Sequence, residues 1–342
     1  MDERKKQVLH AIINDYVATA EPVGSRTISK KYGLGVSSAT IRNEMSDLED
    51  LGYIEQPHTS AGRIPSDKGY RYYVDCLMEK EKITPPEAKI VTQLFAQKLT
   101  EMDQIVQATC HLLSQLTNYT AIILVPKQGE GTLERIQLIP ISAYRVMVVI
   151  VSDTGFINHR VLDLSNPVEP QRLQEITNFL QNRLFGLNME QVNLTLLKEI
   201  TNQLSAHADF RDLVFELMEQ VSQGSKDEKV FLGGALNMFN QPEFRDVEKL
   251  RTLLSSLEED KVVKSLLKKE GREGTDISIG GENSIEGINQ CSVITTDYKV
   301  NGKTVGSIGI LGPTRMNYSK AVTLVEYVTD QLSWILEKMV KK

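Results

Sequence analysis

The sequence predicts an α+β protein of several domains, and three observations carry that reading. Its first eighty residues read as helix, short helix, Gly-containing turn and helix, followed by a short strand, a loop and a capped helix. Between residues 119 and 164 the texture changes to short runs rich in Val, Ile and Leu separated by Gly, Pro and Asp, which is the pattern of strands. Near the carboxyl end, two more such runs flank Asn301-Gly302 and lead into a long helix with one apolar face. A chain of 342 residues is long enough for two or three separate cores. Its formal net charge of -6 gives no global support to nucleic-acid binding, so any such reading must rest on local pattern.

The first helix is set by Val8, Leu9, Ile12, Ile13, Tyr16 and Val17, adjacent apolar pairs four apart. Pro22 breaks it, a short second helix runs through Ile28 to Tyr32, and Gly33 ends that one. Ser37 or Ser38 can cap a third helix, whose stripe is Ile41, Met45 and Leu48. With the stripe facing inward, Ser38, Thr40, Arg42, Asn43 and Ser46 point away from it, crowded toward the amino end from which a recognition helix reads a major groove. Tyr53 to Pro57 reads as a short strand, His58 to Pro65 as a loop, and Ser66 as the cap of a helix carrying Tyr70, Tyr73, Val74 and Leu77. This is the order of a winged helix, with Arg63 on the wing and Gly62 letting the backbone turn there.

Charge is informative locally. Residues 22 to 46 hold Arg26, Lys30, Lys31 and Arg42 against Glu44, and residues 56 to 73 hold Arg63, Lys68 and Arg71 against Asp67. The bases collect on the two elements that would touch a duplex. The expected contacts are therefore Ser38, Thr40, Arg42 and Asn43 on base edges, Thr59, Ser60 and Arg63 on the wing, and Arg26, Lys30, Lys31, Lys68 and Arg71 on phosphates. A solvated helical face would show similar charges. Tyr70 and Tyr73 fall on the apolar stripe and read as core, while Tyr72 either lies against a phosphate or is simply exposed.

The segment "PVGSRTISKKYGLGVSSATIRNEMSDLEDLGYIEQPHTSAGRIPSDKGYRYYVD" closely resembles the amino-terminal domain of the HrcA family, the bacterial heat-inducible transcription repressors. The likeness continues through "GALNMFNQPEFRDVEKLRTLL", "ISIGGEN" and "VGSIGILGPTRMNYSKAVTLVEYV" and covers essentially the whole chain. Ser66 departs from the Thr expected there, but both residues cap a helix. The resemblance implies a homodimeric repressor of chaperone operons that binds the CIRCE inverted repeat in double-stranded DNA, with activity that depends on the GroEL-type chaperonin. It also implies a GAF-like antiparallel α/β domain interrupted by a mainly helical dimerisation insert. The expected division is residues 1-80 winged helix-turn-helix, 81-118 hinge and connecting helices, 119-189 and 261-342 the two parts of the GAF-like domain, and 190-260 the insert. A ligand-sensing regulator whose GAF-like domain holds a small molecule is the alternative, and a protein-binding winged helix is a further rival.

Signals for other classes fail. "NGKT" (301 to 304) lacks the upstream Gly of a phosphate loop and sits in a hairpin; "GSIGILG" lacks dinucleotide-loop spacing. The five histidines are isolated, without metal-site spacing, and no nucleophile has a base nearby in sequence. No enzyme activity, cofactor or metal is expected. Cys76, Cys110 and Cys291 are far apart and read as buried thiols. No apolar run approaches the ~18 residues of a membrane helix, and Met1-Asp2-Glu3 is acidic where a secretory leader is basic, so a cytoplasmic location without membrane contact is expected.

Overall fold

The computed structural model describes residues 1-58, 61-96, 102-125, 132-153, 157-164, 166-187, 228-267 and 274-340. They divide into two compact units, one comprising Met1–Ile123, Val230–Asp297 and Ser307–Gln331, the other Leu124–Lys229, Tyr298–Gly306 and Leu332–Lys342.

The first unit begins with α1 (Glu3–Thr19), α2 (Ser25–Lys31) and α3 (Ser38–Asp50). The starts of α1 and α3 follow from their caps: Asp2 accepts from the Lys5 amide, and Ser37, not Ser38, accepts from the Thr40 amide at 3.1 Å. Val8, Leu9, Ile12, Ile28, Ile41 and Leu48 meet in one core at no measurable exposure. Strands β1 (Ile54–Glu55) and β2 (Ile64–Pro65) pair antiparallel, and Val23 forms an isolated antiparallel bridge with Arg63. Helix α4 (Asp67–Tyr72) is capped by Ser66, whose hydroxyl accepts from the Gly69 amide, and continues as a wider turn through Tyr73–Leu77. Tyr70 and Tyr73 are core residues, as their spacing predicts, and Tyr72 lies edge-on against Tyr53.

Next come α5 (Pro85–Phe95), which the Pro pair starts, and α6 (Met102–Thr117). Strand β3 (Thr120–Val125) is buried at every residue, and because successive side chains point to opposite faces, both faces of its sheet must be covered. The other strands of its sheet are β7 (Lys229–Gly233), β8 (Asp276–Ile279), β9 (Cys291–Val300) and β10 (Lys303–Pro313), in the order β7-β3-β10-β9-β8. The β9-β10 hairpin turns at Asn301 and Gly302, whose φ angles of 50° and 78° are those of a type I′ turn. Helices α8 (Val247–Glu258), α9 (Asp260–Leu267) and α10 (Tyr318–Val340) complete the described helices of this region.

The second unit holds β4 (Leu133–Ser142), β5 (Arg145–Ser152) and β6 (Ile157–Asp163), an antiparallel sheet of three strands with α7 (Pro170–Leu184) on one face. Val146, Val148 and Ile150 alternate inward and close a cluster with Ile136, Leu162 and Ile176. The strands that the sequence reading assigns to one GAF-like domain, 119-189 with 261-342, thus divide between two sheets. Of the first part only β3 joins the five-stranded sheet, because β4 to β6 find their partner in their own helix. Of the expected 190-260 insert, residues 190-227 lie outside the described residues. The described remainder includes β7, which neighbours β3 in the five-stranded sheet.

Candidate nucleic-acid interface

Helix α3 is held by its buried stripe, Ile41, Met45 and Leu48, so its opposite side is fixed toward solvent. On that side Arg42, Asn43 and Ser46 are exposed, and Ser38 and Thr40 are half-buried within the first turn. Two acids of the helix are drawn toward α1. Lys5 of α1 lies 3.0 Å from both Glu44 and Asp47, and those carboxylates push its ammonium pKa upward. Arg42, Arg26 and Lys30 are exposed and make no ion pair among the described residues. The result is a patch of α2 and α3 with uncompensated positive charge beside short polar groups.

The remaining expected cations are paired. Lys31 donates to the buried Asp15 at 2.5 Å, which raises its pKa, and lies beside the Tyr32 ring. Lys68 donates to the Leu51 carbonyl at 2.7 Å, at the carboxyl end of α3 where a cation is favoured, and sits 4.6 Å over the Tyr53 ring. Arg63 immediately precedes β2, joined to Val23 by two backbone hydrogen bonds and to Glu49 of α3 at 2.7 Å. Thr59 and Ser60, the other expected wing contacts, lie outside the described residues.

Arg71 corrects the expectation of a phosphate contact. Its guanidinium grips Glu282 through Nε at 2.8 Å and Nη2 at 2.5 Å, and it also donates to Asp75 and to the Ile277 carbonyl. The sequence reading missed this because Glu282 lies 211 residues away, although "ISIGGEN" stood out without a role. Gly62 is also revised. It is not in the left-handed region; a Cβ there would lie 2.5 Å from the Val23 carbonyl oxygen, so the glycine serves close backbone approach.

Other chemistry is limited. Among the described residues no group of His, Cys, Asp and Glu is placed to hold a metal. Burial pushes the thiols of Cys110 and Cys291 up to about 12, which keeps them unreactive, whereas Cys76 is exposed, contrary to expectation. A cleft of about 770 Å³ opens between α1 and the start of α10, bordered by His10, Asn14, Tyr73, Glu79 and Glu81, and no strand residue lines it. No described helix is long and apolar enough to cross a membrane.

Residues 103–322 match the family model described as the HrcA protein C terminal domain. The chain belongs to the HrcA family. A heat-inducible transcription repressor HrcA of Pelotomaculum thermopropionicum is 47% identical over 100% of this chain and 98% of its own length. One of Moorella thermoacetica is 47% identical over 99% of each chain. The fold is similar to that in a crystal structure of a hypothetical protein, 24% identical with a TM-score of 0.64 over 99% of each chain. Within this HrcA chain, the basic patch on α2 and α3 lies wholly amino-terminal to the segment that the family model matches.

Proposed function

We propose that this HrcA family member represses chaperone operons by binding the CIRCE inverted repeat as a homodimer, with α3 of each winged helix in a major groove. One observation carries the reading: Arg42 and Asn43 stand exposed near the amino end of a firmly seated helix, and the acids beside them, Glu44 and Asp47, are turned onto Lys5. Arg can bond guanine and Asn adenine through paired hydrogen bonds, and Ser38 and Thr40 are short enough to let the helix approach. Arg26 and Lys30 neutralise phosphates directly; Lys31, Lys68 and Arg63 add to them only by exchanging their present partners. Thr59 and Ser60 are assigned to the wing from their place in the sequence. Two-fold symmetry suits an inverted repeat because each half-site takes one recognition helix. The GroEL-type chaperonin is assigned as the modulator on family membership.

The test is titration of the full chain, with and without chaperonin, onto the inverted repeat and a half-site-scrambled duplex at several salt concentrations. Cognate binding about 10³-fold tighter or better is expected. Cognate binding no tighter than scrambled binding under every condition overturns the reading.

A further inference from the structure

The motif "ISIGGEN" has a structural use that neither sheet formation nor DNA binding accounts for. Gly280, at φ +52°, begins a tight turn after β8, and the Gly281 amide donates to the Asp67 carboxylate of α4 at 2.8 Å. A Cβ on Gly280 would collide with that carboxylate. The next residue, Glu282, accepts from its own Ile279 amide at 2.9 Å and receives Arg71, one helical turn along α4 from Asp67. So two oppositely charged side chains on one helix enter two complementary positions of one turn. The match fixes translation and rotation together, which a single contact cannot do.

Two further anchors lie away from it. Arg315, nearly buried, donates to the Val17 carbonyl at the end of α1 at 2.6 Å while paired to Glu243 at 2.5 Å. Ser319 of α10 accepts from the Glu81 amide at 2.9 Å and donates to the Glu79 carbonyl at 2.5 Å, which ties down the segment leaving the winged helix. All these bonds reach α4, the end of α1 and the exit segment, and the outward residues of α3 remain exposed.

We infer that Asp67, Arg71, Gly280 and Glu282 are positioning residues that set the angle of each winged helix, and thereby the spacing between half-sites that the dimer accepts. This rests on the repressor reading above. A dimer reads two half-sites at once only when its recognition helices are held one fixed distance and rotation apart. The second binding event then has a high effective concentration, which is lost when the modules swing freely.

The experiment uses the full-length chain and inverted repeats whose central spacer changes in single base pairs up to about half a helical turn, about five base pairs, beside a single half-site. The wild type should show one preferred spacer. Gly280→Ala and Glu282→Arg should bind the preferred repeat about ten-fold more weakly and flatten the spacer profile, with single half-site affinity and the far-ultraviolet dichroism spectrum unchanged. Pairing Arg71→Glu with Glu282→Arg should restore part of the spacer preference, an outcome that general damage to the fold does not produce. Folded Gly280→Ala and Glu282→Arg variants with the wild-type profile overturn the inference alone. A wild type that binds the repeat no better than scrambled DNA overturns it together with the repressor reading.

Discussion

Helices α3 and α4 are alike in sequence grammar: each follows a serine cap, buries an apolar face and carries arginine outward. Their arginines have different fates. Arg42 is exposed, while Arg71 is committed to Glu282, Asp75 and the Ile277 carbonyl. A run of bases therefore reads as a nucleic-acid surface only after the carboxylates that reach it from elsewhere are known. On α3 the nearby acids are held by α1; on α4 a distant acid arrives and takes the charge.

The sharpest way to break the comparison is to remove each arginine in turn. Arg42→Ala should weaken cognate binding by about 1 to 3 kcal/mol and relax base choice, with little change in the urea midpoint. Equal losses on cognate and scrambled DNA would sink Arg42 as a base reader. Arg71→Ala should lower stability by about 1 kcal/mol, the pair being partly exposed, without weakening a single half-site. A loss of half-site affinity would return Arg71 to the phosphate-contacting set.

Tyr70 sharpens the contrast within α4 itself. Its ring is buried and tilted against Tyr318, but its hydroxyl has no hydrogen-bond partner among the described residues, and burial drives its pKa well above the ordinary phenol value. Removing an unsatisfied buried hydroxyl relieves a desolvation cost, so Tyr70→Phe should raise stability by about 1 kcal/mol in urea unfolding. A clear loss would mean that the hydroxyl is satisfied in solution.

The amino-terminal helices and the Asn301-Gly302 hairpin were legible because every signal in them is local. Caps lie within three residues of what they cap, the stripes repeat every turn, and Asn301-Gly302 specifies its own hairpin. The partition of strands was not. β3 (TAIILV) is apolar and buried at every residue, whereas β4 (LERIQLIPIS) carries charge and is largely exposed, yet neither pattern names its partner strands, and β4 to β6 close their own core against α7. The site divides in the same way. Exposure of Arg42 and Asn43 follows from helical period, but the pairing of Lys31 with Asp15, Arg63 with Glu49 and Arg71 with Glu282 depends on approaches that only the folded chain creates.

On α2, neighbouring cations repeat the comparison at smaller scale. Lys30 is exposed without an ion pair among the described residues, and Lys31 holds Asp15. Lys30→Ala should weaken cognate and scrambled DNA alike and reduce the slope of log affinity against log salt by about one. An unchanged slope would remove Lys30 from the phosphate contacts.

The smallest expected effect concerns α1. Burial depresses the His10 imidazole pKa, with Glu79 pulling weakly the other way; the Asn14 amide lies 3.2 Å from Nδ1, and Tyr73 packs beside the ring. The folded state thus binds the proton less readily than the unfolded state does. Its contribution is present above the unfolded value of about 6.5 and is lost as pH falls through the folded one. Urea midpoints between about pH 8 and pH 5 should fall more steeply for wild type than for His10→Gln, because only wild type must accept an unfavourable charge between α1 and Tyr73. Parallel curves would mean that the ring is solvated enough to titrate freely, and that the seating of α1 is indifferent to its protonation.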